Sequence, residues 1–84
     1  MAASSDNVNH PAHYQSKSGL ETIEIIKACT ENLGGFEAYA TGNVIKYMSR
    51  WKKKNGLEDL KKARWYINHL IEFLELEKEN EANE

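Results

Sequence analysis

Eighty-four residues with a single cysteine allow one domain, exclude an internal disulfide and fit a reducing compartment. A hydrophobic content of 40% speaks against disorder, and no apolar run approaches the roughly 20 residues needed to cross a bilayer. Eleven basic and thirteen acidic residues give a formal net charge of −2, yet the two signs are segregated along the chain.

A soluble, intracellular protein is expected. Loose ends leave roughly 65 residues to fold, a size at which a lone core is marginal, so self-association into a homo-oligomer is expected as well. The expected organisation is a flexible N-terminus over 1–9, one helical domain over 10–77 and a flexible acidic tail over 78–84.

After the polar lead-in, Pro11 restrains its own φ and pushes His10 toward extended geometry, so residues 10–14 read as a stiff non-helical arm. His10, His13 and Tyr14 could form a lid over a pocket, or Tyr14 could plug a gap in the core as part of a surface strap. The His10-x-x-His13 spacing is too weak to indicate a metal site, since no second pair of strong ligands lies nearby.

Ser18-x-x-Glu21 matches the capping box that opens a helix, predicted from about Leu20 to Asn32 and ended by Gly34-Gly35. Glu21 and Glu24 stand on one face, a spacing used by metal-dependent nucleotide pyrophosphatases. Capping and solvation explain both more simply, and no metal site is predicted. A second helix runs from about Phe36 to Lys53, with Phe36, Ala40, Val44, Tyr47 or Met48, and Trp51 at helical spacing. Gly42 inside it most simply lets another helix approach closely. Asn43, Lys46, Arg50 and Lys54 line the neighbouring edge.

Asn55-Gly56 breaks the pattern, and Asn55-x-x-Glu58 repeats the capping logic for a third helix from about Leu57 to Glu77. Glu58 and Asp59 fall in its first turn, where the macrodipole favours negative charge. The short turn predicts an αα-hairpin of the second and third helices. Expected core positions are Leu60, Ala63, Ile67, Leu70, Ile71 and Leu74, flanked by a stripe of Lys62, Tyr66 and His69. The fold class is therefore all-α: three helices, a hairpin of the last two, and an extended N-terminal arm.

The charge imbalance is concentrated in that hairpin. Residues 43–66 hold eight basic side chains and two acidic ones, interleaved with Tyr47, Trp51, Trp65 and Tyr66. Cations beside aromatic faces suit a phosphate-bearing ligand with a stackable base. A charge run is more often a solvated helix face, and Lys52, Lys53 and Lys61 are read that way. Arg50 and Lys46 are read as ligand-binding, because they neighbour the aromatic stripe without nearby acids to pair with. Trp51 and Trp65 are read as core or subunit-interface anchors. No glycine-rich phosphate loop ending in Lys-Ser/Thr is present, so side-chain cations would have to hold the phosphate.

His13-Tyr14, Gly19-x-Glu21, Gly42-Asn43-x-x-Lys46-Tyr47-x-x-Arg50 and Lys54-x-Gly56-x-x-Asp59-Leu60-x-Lys62-Ala63-x-x-Tyr66 together carry a family resemblance. Over about residues 7 to 75 the chain resembles small bacteriophage proteins catalogued as a domain of unknown function. They are often labelled nucleotide kinase-like, because a coliphage nucleotide kinase contains the domain. The resemblance implies a phage protein acting on nucleotides or related phosphate ligands in the cytoplasm of the infected bacterial host.

The ligand-binding residues expected are His13, Tyr14, Asn43, Lys46, Tyr47, Arg50, Lys54, Lys62 and Tyr66, with no catalytic residue assigned. Three functions are ranked. The first is an oligomeric sponge that binds a nucleotide or other phosphorylated small molecule, such as a host signalling nucleotide, without turnover. The second is a nucleoside monophosphate kinase, and only that reading brings in Mg²⁺ as a cofactor. The third is a nucleic-acid or protein-partner module, disfavoured for nucleic acid by the sequence pI of about 5.9 and the acidic flanks. No membrane partner is implied.

Overall fold

The computed structural model describes residues 19–83 and is all-α. Helix α1 spans Thr22–Thr30, α2 spans Gly35–Arg50 and α3 spans Leu57–Asn83. The arm with His13 and Tyr14, and the proposed cap at Ser18, lie outside the described residues.

Helix α1 starts later than the Ser18 cap predicts. Glu21 is its N-cap, and Glu21 with Glu24 forms the capping box, the Glu21 amide donating to Glu24 Oε1 at 3.2 Å. The acidic pair therefore satisfies backbone donors that the first helical turn leaves open.

Helix α2 ends at Arg50 rather than Lys53, and residues 51–56 form consecutive turns. The amides of Lys53 and Lys54 both donate to the Arg50 carbonyl, at 3.0 and 3.1 Å. Gly56 then takes a left-handed φ of +57° and donates its N–H to the Trp51 carbonyl at 2.7 Å. A side chain at that φ would be strained, which is why glycine closes the hairpin.

Helix α3 continues to Asn83, six residues past the predicted end at Glu77. The run Leu74 to Ala82 contains strong helix formers and neither glycine nor proline to stop it. The apolar period fades there, and the period alone located the expected end.

The middle helix, α2, is packed by α1 on one side and α3 on the other. The side chains buried at these crossings are small, Ala40 and Ala63, together with the ring of Tyr47. Gly42 serves the same closeness, because a Cβ there would meet Ile26 Cγ2 of α1 at 3.2 Å. Thr22 Oγ1 also donates to Ser49 Oγ at 3.4 Å, tying the start of α1 to the end of α2.

Several expected core positions are not covered. Met48, Ile67, Ile71 and Leu74 remain 50, 41, 48 and 44% exposed. On α3 apolar periodicity marked the packed side, but α2 covers only part of the width that Ile67, Ile71 and Leu74 span.

Candidate functional site

The hairpin is clasped at both ends. Phe36 and Phe73 meet at the open end with ring centroids 5.4 Å apart and planes tilted by 50°. At the turn, Arg50 Nε and Nη2 donate to the two carboxylate oxygens of Asp59 at 3.2 and 3.3 Å. Asn55 adds its backbone N–H at 3.3 Å and its side-chain amide at 3.2 Å. Asp59 is completely buried, and the Arg50 side chain is 10% exposed. Burial pushes the Asp59 carboxyl up, but the hydrogen bonds from Arg50 and Asn55 and the guanidinium charge outweigh it. The carboxyl is held below its usual range.

Arg50 is thus not short of an acid, as its sequence setting suggests. Asp59 lies nine positions away in sequence and reaches it only because the turn folds back. Asn55 likewise donates its side-chain amide to Asp59, one position beyond the Glu58 of the predicted box.

Between the two clasps, three cations gather about one ring. Lys46 Nζ lies 5.2 Å, Arg50 Cζ 5.0 Å and Lys62 Nζ 5.7 Å from the centroid of Tyr47. Lys46 and Arg50 come from α2, one turn apart, and Lys62 reaches across from α3. Each is within the reach of a cation–π attraction. Tyr47 and Tyr66 stack at 6.1 Å with planes 21° apart, and Trp65 stands edge-on to Tyr66 at 4.9 Å. Tyr47, Lys62, Trp65 and Tyr66 line an open hollow of about 290 Å³. That is near the lower end of the roughly 300–1,000 Å³ that small-ligand pockets occupy.

The hydroxyls of Tyr39 and Tyr66 are hydrogen-bonded at 3.2 Å. This bond, then burial and the neighbouring Tyr39 and Tyr47 charges, push the Tyr66 phenol up to about 12. The group stays neutral at physiological pH and adds no negative charge beside the lysines. Asn43 donates its amide to the Tyr39 carbonyl at 2.9 Å, holding that carbonyl one turn back along α2.

The structure therefore brings Lys46, Tyr47, Arg50, Lys62 and Tyr66 together, with Asn43 one turn away. Lys54 sits exposed in the connecting turn and is not among the three cations at Tyr47. Lys52, Lys53 and Lys61 are exposed, as solvated faces should be. Trp65 was the residue that sequence reasoning placed elsewhere. It is 52% exposed, lines the hollow and stacks on His69 at 3.9 Å. His69 Nδ1–H in turn donates to the Trp65 carbonyl at 2.9 Å, so the imidazole braces the indole. The spacing of Lys62, Trp65, Tyr66 and His69, at steps of three and four, already put all four on adjoining stripes.

Residues 8–68 match the family described as a protein of unknown function, DUF3310. The chain belongs to this family. It is 41% identical to the gene 1.7 protein of Enterobacteria phage T3, over 71% of this chain and 39% of that protein. It is 37% identical to the nucleotide kinase gp1.7 of Escherichia phage T7, over 73% of this chain and 33% of that protein. The chain thus spans between a third and two fifths of these DUF3310 relatives. No solved structure matches it. No helix among the described residues is long and apolar enough to cross a membrane.

Proposed function

We propose that this DUF3310 chain is a phage protein that binds a nucleotide or related phosphorylated small molecule at the Tyr47 hollow, in the cytoplasm of the infected host. The observation that carries this reading is the convergence of Lys46, Arg50 and Lys62 about Tyr47 beside rings of Tyr66 and Trp65. Lys46 and Lys62 supply the phosphate contacts as mobile point charges. Arg50, gripped by Asp59, sets the turn and adds positive potential. Trp65 and Tyr66 offer faces on which a base stacks. His13 and Tyr14, outside the described residues, stay among the ligand-binding candidates of this reading.

Binding without turnover, as in a sponge for a host signalling nucleotide, is the first form of the proposal. Phosphoryl transfer to a nucleoside monophosphate is attack by a phosphate oxygen that carries no proton at neutral pH, so it depends on cations that neutralise donor and acceptor phosphates together. Of the three cations at Tyr47, Arg50 is already engaged by Asp59, which leaves two lysines. The second form is a nucleotide kinase, favoured by the name of the T7 relative, and Mg²⁺ would enter there as companion to the nucleotide phosphates.

A thermal-shift panel of nucleoside mono-, di- and triphosphates and cyclic nucleotides tests the binding claim. At least one should raise the unfolding midpoint in a concentration-dependent way. A flat panel removes the proposal. Incubation with ATP, a deoxynucleoside monophosphate and Mg²⁺, followed by product separation, then distinguishes the two forms. No diphosphate product is expected from the sponge, and clear turnover would establish the kinase form instead.

A further inference from the structure

Helix α3 carries a second apolar stripe beside the one that packs on α2. Leu60, Ile67 and Leu74 repeat every seven residues, with Ile71 four after Ile67 and three before Leu74. Ile67, Ile71 and Leu74 are each more than two fifths exposed. This is the heptad spacing of a helix-pairing seam. Helix α3 also outruns its partner. Phe36, in the first turn of α2, meets Phe73, so the last ten residues continue about 15 Å beyond α2. Ten helical residues without tertiary packing are marginal in water.

Charge is divided lengthwise on the same helix. Lys61, Lys62 and Arg64 mark its first half against Glu58 and an Asp59 that is buried on Arg50, and Glu72, Glu75, Glu77, Glu79 and Glu81 mark its second against Lys78 alone. A parallel neighbour would set acid beside acid. An antiparallel one sets each acidic end along a basic beginning. With Ile71 against the second copy's Ile67, the projecting Leu74–Asn83 end lies along the second copy's turn and first two turns of α3. The centre of the pair then falls at residue 69, so Asn68 lies about 3 Å along the axis from its own counterpart, and Lys61 flanks the seam at about the same offset from the second copy's Glu75.

We infer that two copies of this chain pair antiparallel through the Leu60–Ile67–Ile71–Leu74 stripe of α3, joined by charge-complementary ends. The pairing leaves the Tyr47 hollow open. Trp65 stands about 200° around the helix from Ile67, so each copy keeps its site on the outside.

Sedimentation of the full chain at micromolar concentration, without nucleotide, should give twice the 9.6 kDa chain mass or an even multiple of it. Ile71→Glu should give the single-chain mass while keeping its helical circular dichroism, because Ile71 is half-exposed within one copy. Lys61→Glu should weaken pairing about tenfold, and Lys61→Glu combined with Glu75→Lys should restore it. Asn68→Cys in a Cys29→Ser background should form a disulfide-linked pair under mild oxidation. A wild-type monomer, a pair indifferent to Ile71→Glu, a charge exchange that restores nothing, or failure of the Asn68→Cys cross-link overturns the inference. A wild-type monomer that loses stability when residues 1–18 are removed would assign the stripe to the N-terminal arm instead.

Discussion

Asp59→Ala should lower the thermal unfolding midpoint by about 10 °C or more, the largest effect expected of any single truncation in the hairpin. The substitution removes the acceptor of four hydrogen bonds and takes the carboxylate away from a nearly buried guanidinium. Asn55 loses the partner of both its backbone amide and its side chain, so the turn that joins α2 to α3 loses its internal tie. The pH dependence has a definite sign. Folding holds the Asp59 carboxyl below its ordinary value of 3.8, so the folded state binds this proton more weakly than the unfolded chain. The stabilisation is present above the ordinary value and is lost as pH falls through the lower folded value. Melts between pH 7 and pH 2 should show a steep acid limb in the wild type and a flatter one in Asp59→Asn, which keeps the shape but not the charge. Equal limbs would show that the Arg50–Asp59 pair is not what closes the hairpin.

The second large effect concerns the ligand. Lys46→Ala with Lys62→Ala should weaken nucleotide binding on the order of 100-fold, since each charge-assisted contact contributes about 1.5 kcal/mol or more. Lys62 is exposed and Lys46 half-buried, and neither ammonium has an ion-pair partner among the described residues beyond its modest cation–π contact with Tyr47, so the melting curve without ligand should move little. Lys52→Ala with Lys53→Ala removes the same charge from the turn and should leave affinity within about threefold. Calorimetric titration of the three proteins checks this. Equal losses in the two double variants would mean that the hairpin attracts anions generally and holds none at Tyr47. The choice of lysines over Arg50 follows from geometry, because Asp59 already occupies the Nε–Nη2 edge of its guanidinium.

Much of this fold could be read from local signals. The spacing of Phe36, Ala40 and Tyr47, the Asn55-Gly56 break and the early acids of α3 mark the second and third helices and their turn. Gly42 announced a close helix, and Ile26 of α1 is the neighbour. Helix ends were less legible. Ser18 is the better N-cap by residue type, yet Glu21 and Glu24 share the spacing of Ser18 and Glu21, and it is they that form the box. The end of α3 carries no stop residue, so only propensity extends it. The site was legible as a set of residue types and partly as a place. Lys46, Tyr47 and Arg50 follow from one helical edge, and Lys62 and Tyr66 from another, but their meeting depends on the hairpin register. That register is fixed by Arg50 with Asp59 and by Phe36 with Phe73. Neither pair follows a local rule, so the partner of Arg50 was invisible until the turn was closed. Trp65 was read as a core or subunit-interface anchor; its exposure removes the core half of that reading, and the position of Lys62 one turn earlier points toward the hollow.

The two tryptophans offer the most direct test of the central claim. Trp65 lines the hollow, whereas Trp51 sits in the connecting turn with Lys52 Nζ 5.8 Å from its ring. In a two-dimensional ¹H–¹⁵N spectrum their indole N–H signals report on the two places separately. Titration with the nucleotide that stabilises the protein most should shift the Trp65 indole together with the amides around Tyr47 and Lys62, and leave the Trp51 indole in place. Saturable shifts at Trp51 or along the acidic end of α3, with Trp65 unmoved, would contradict a ligand site at Tyr47.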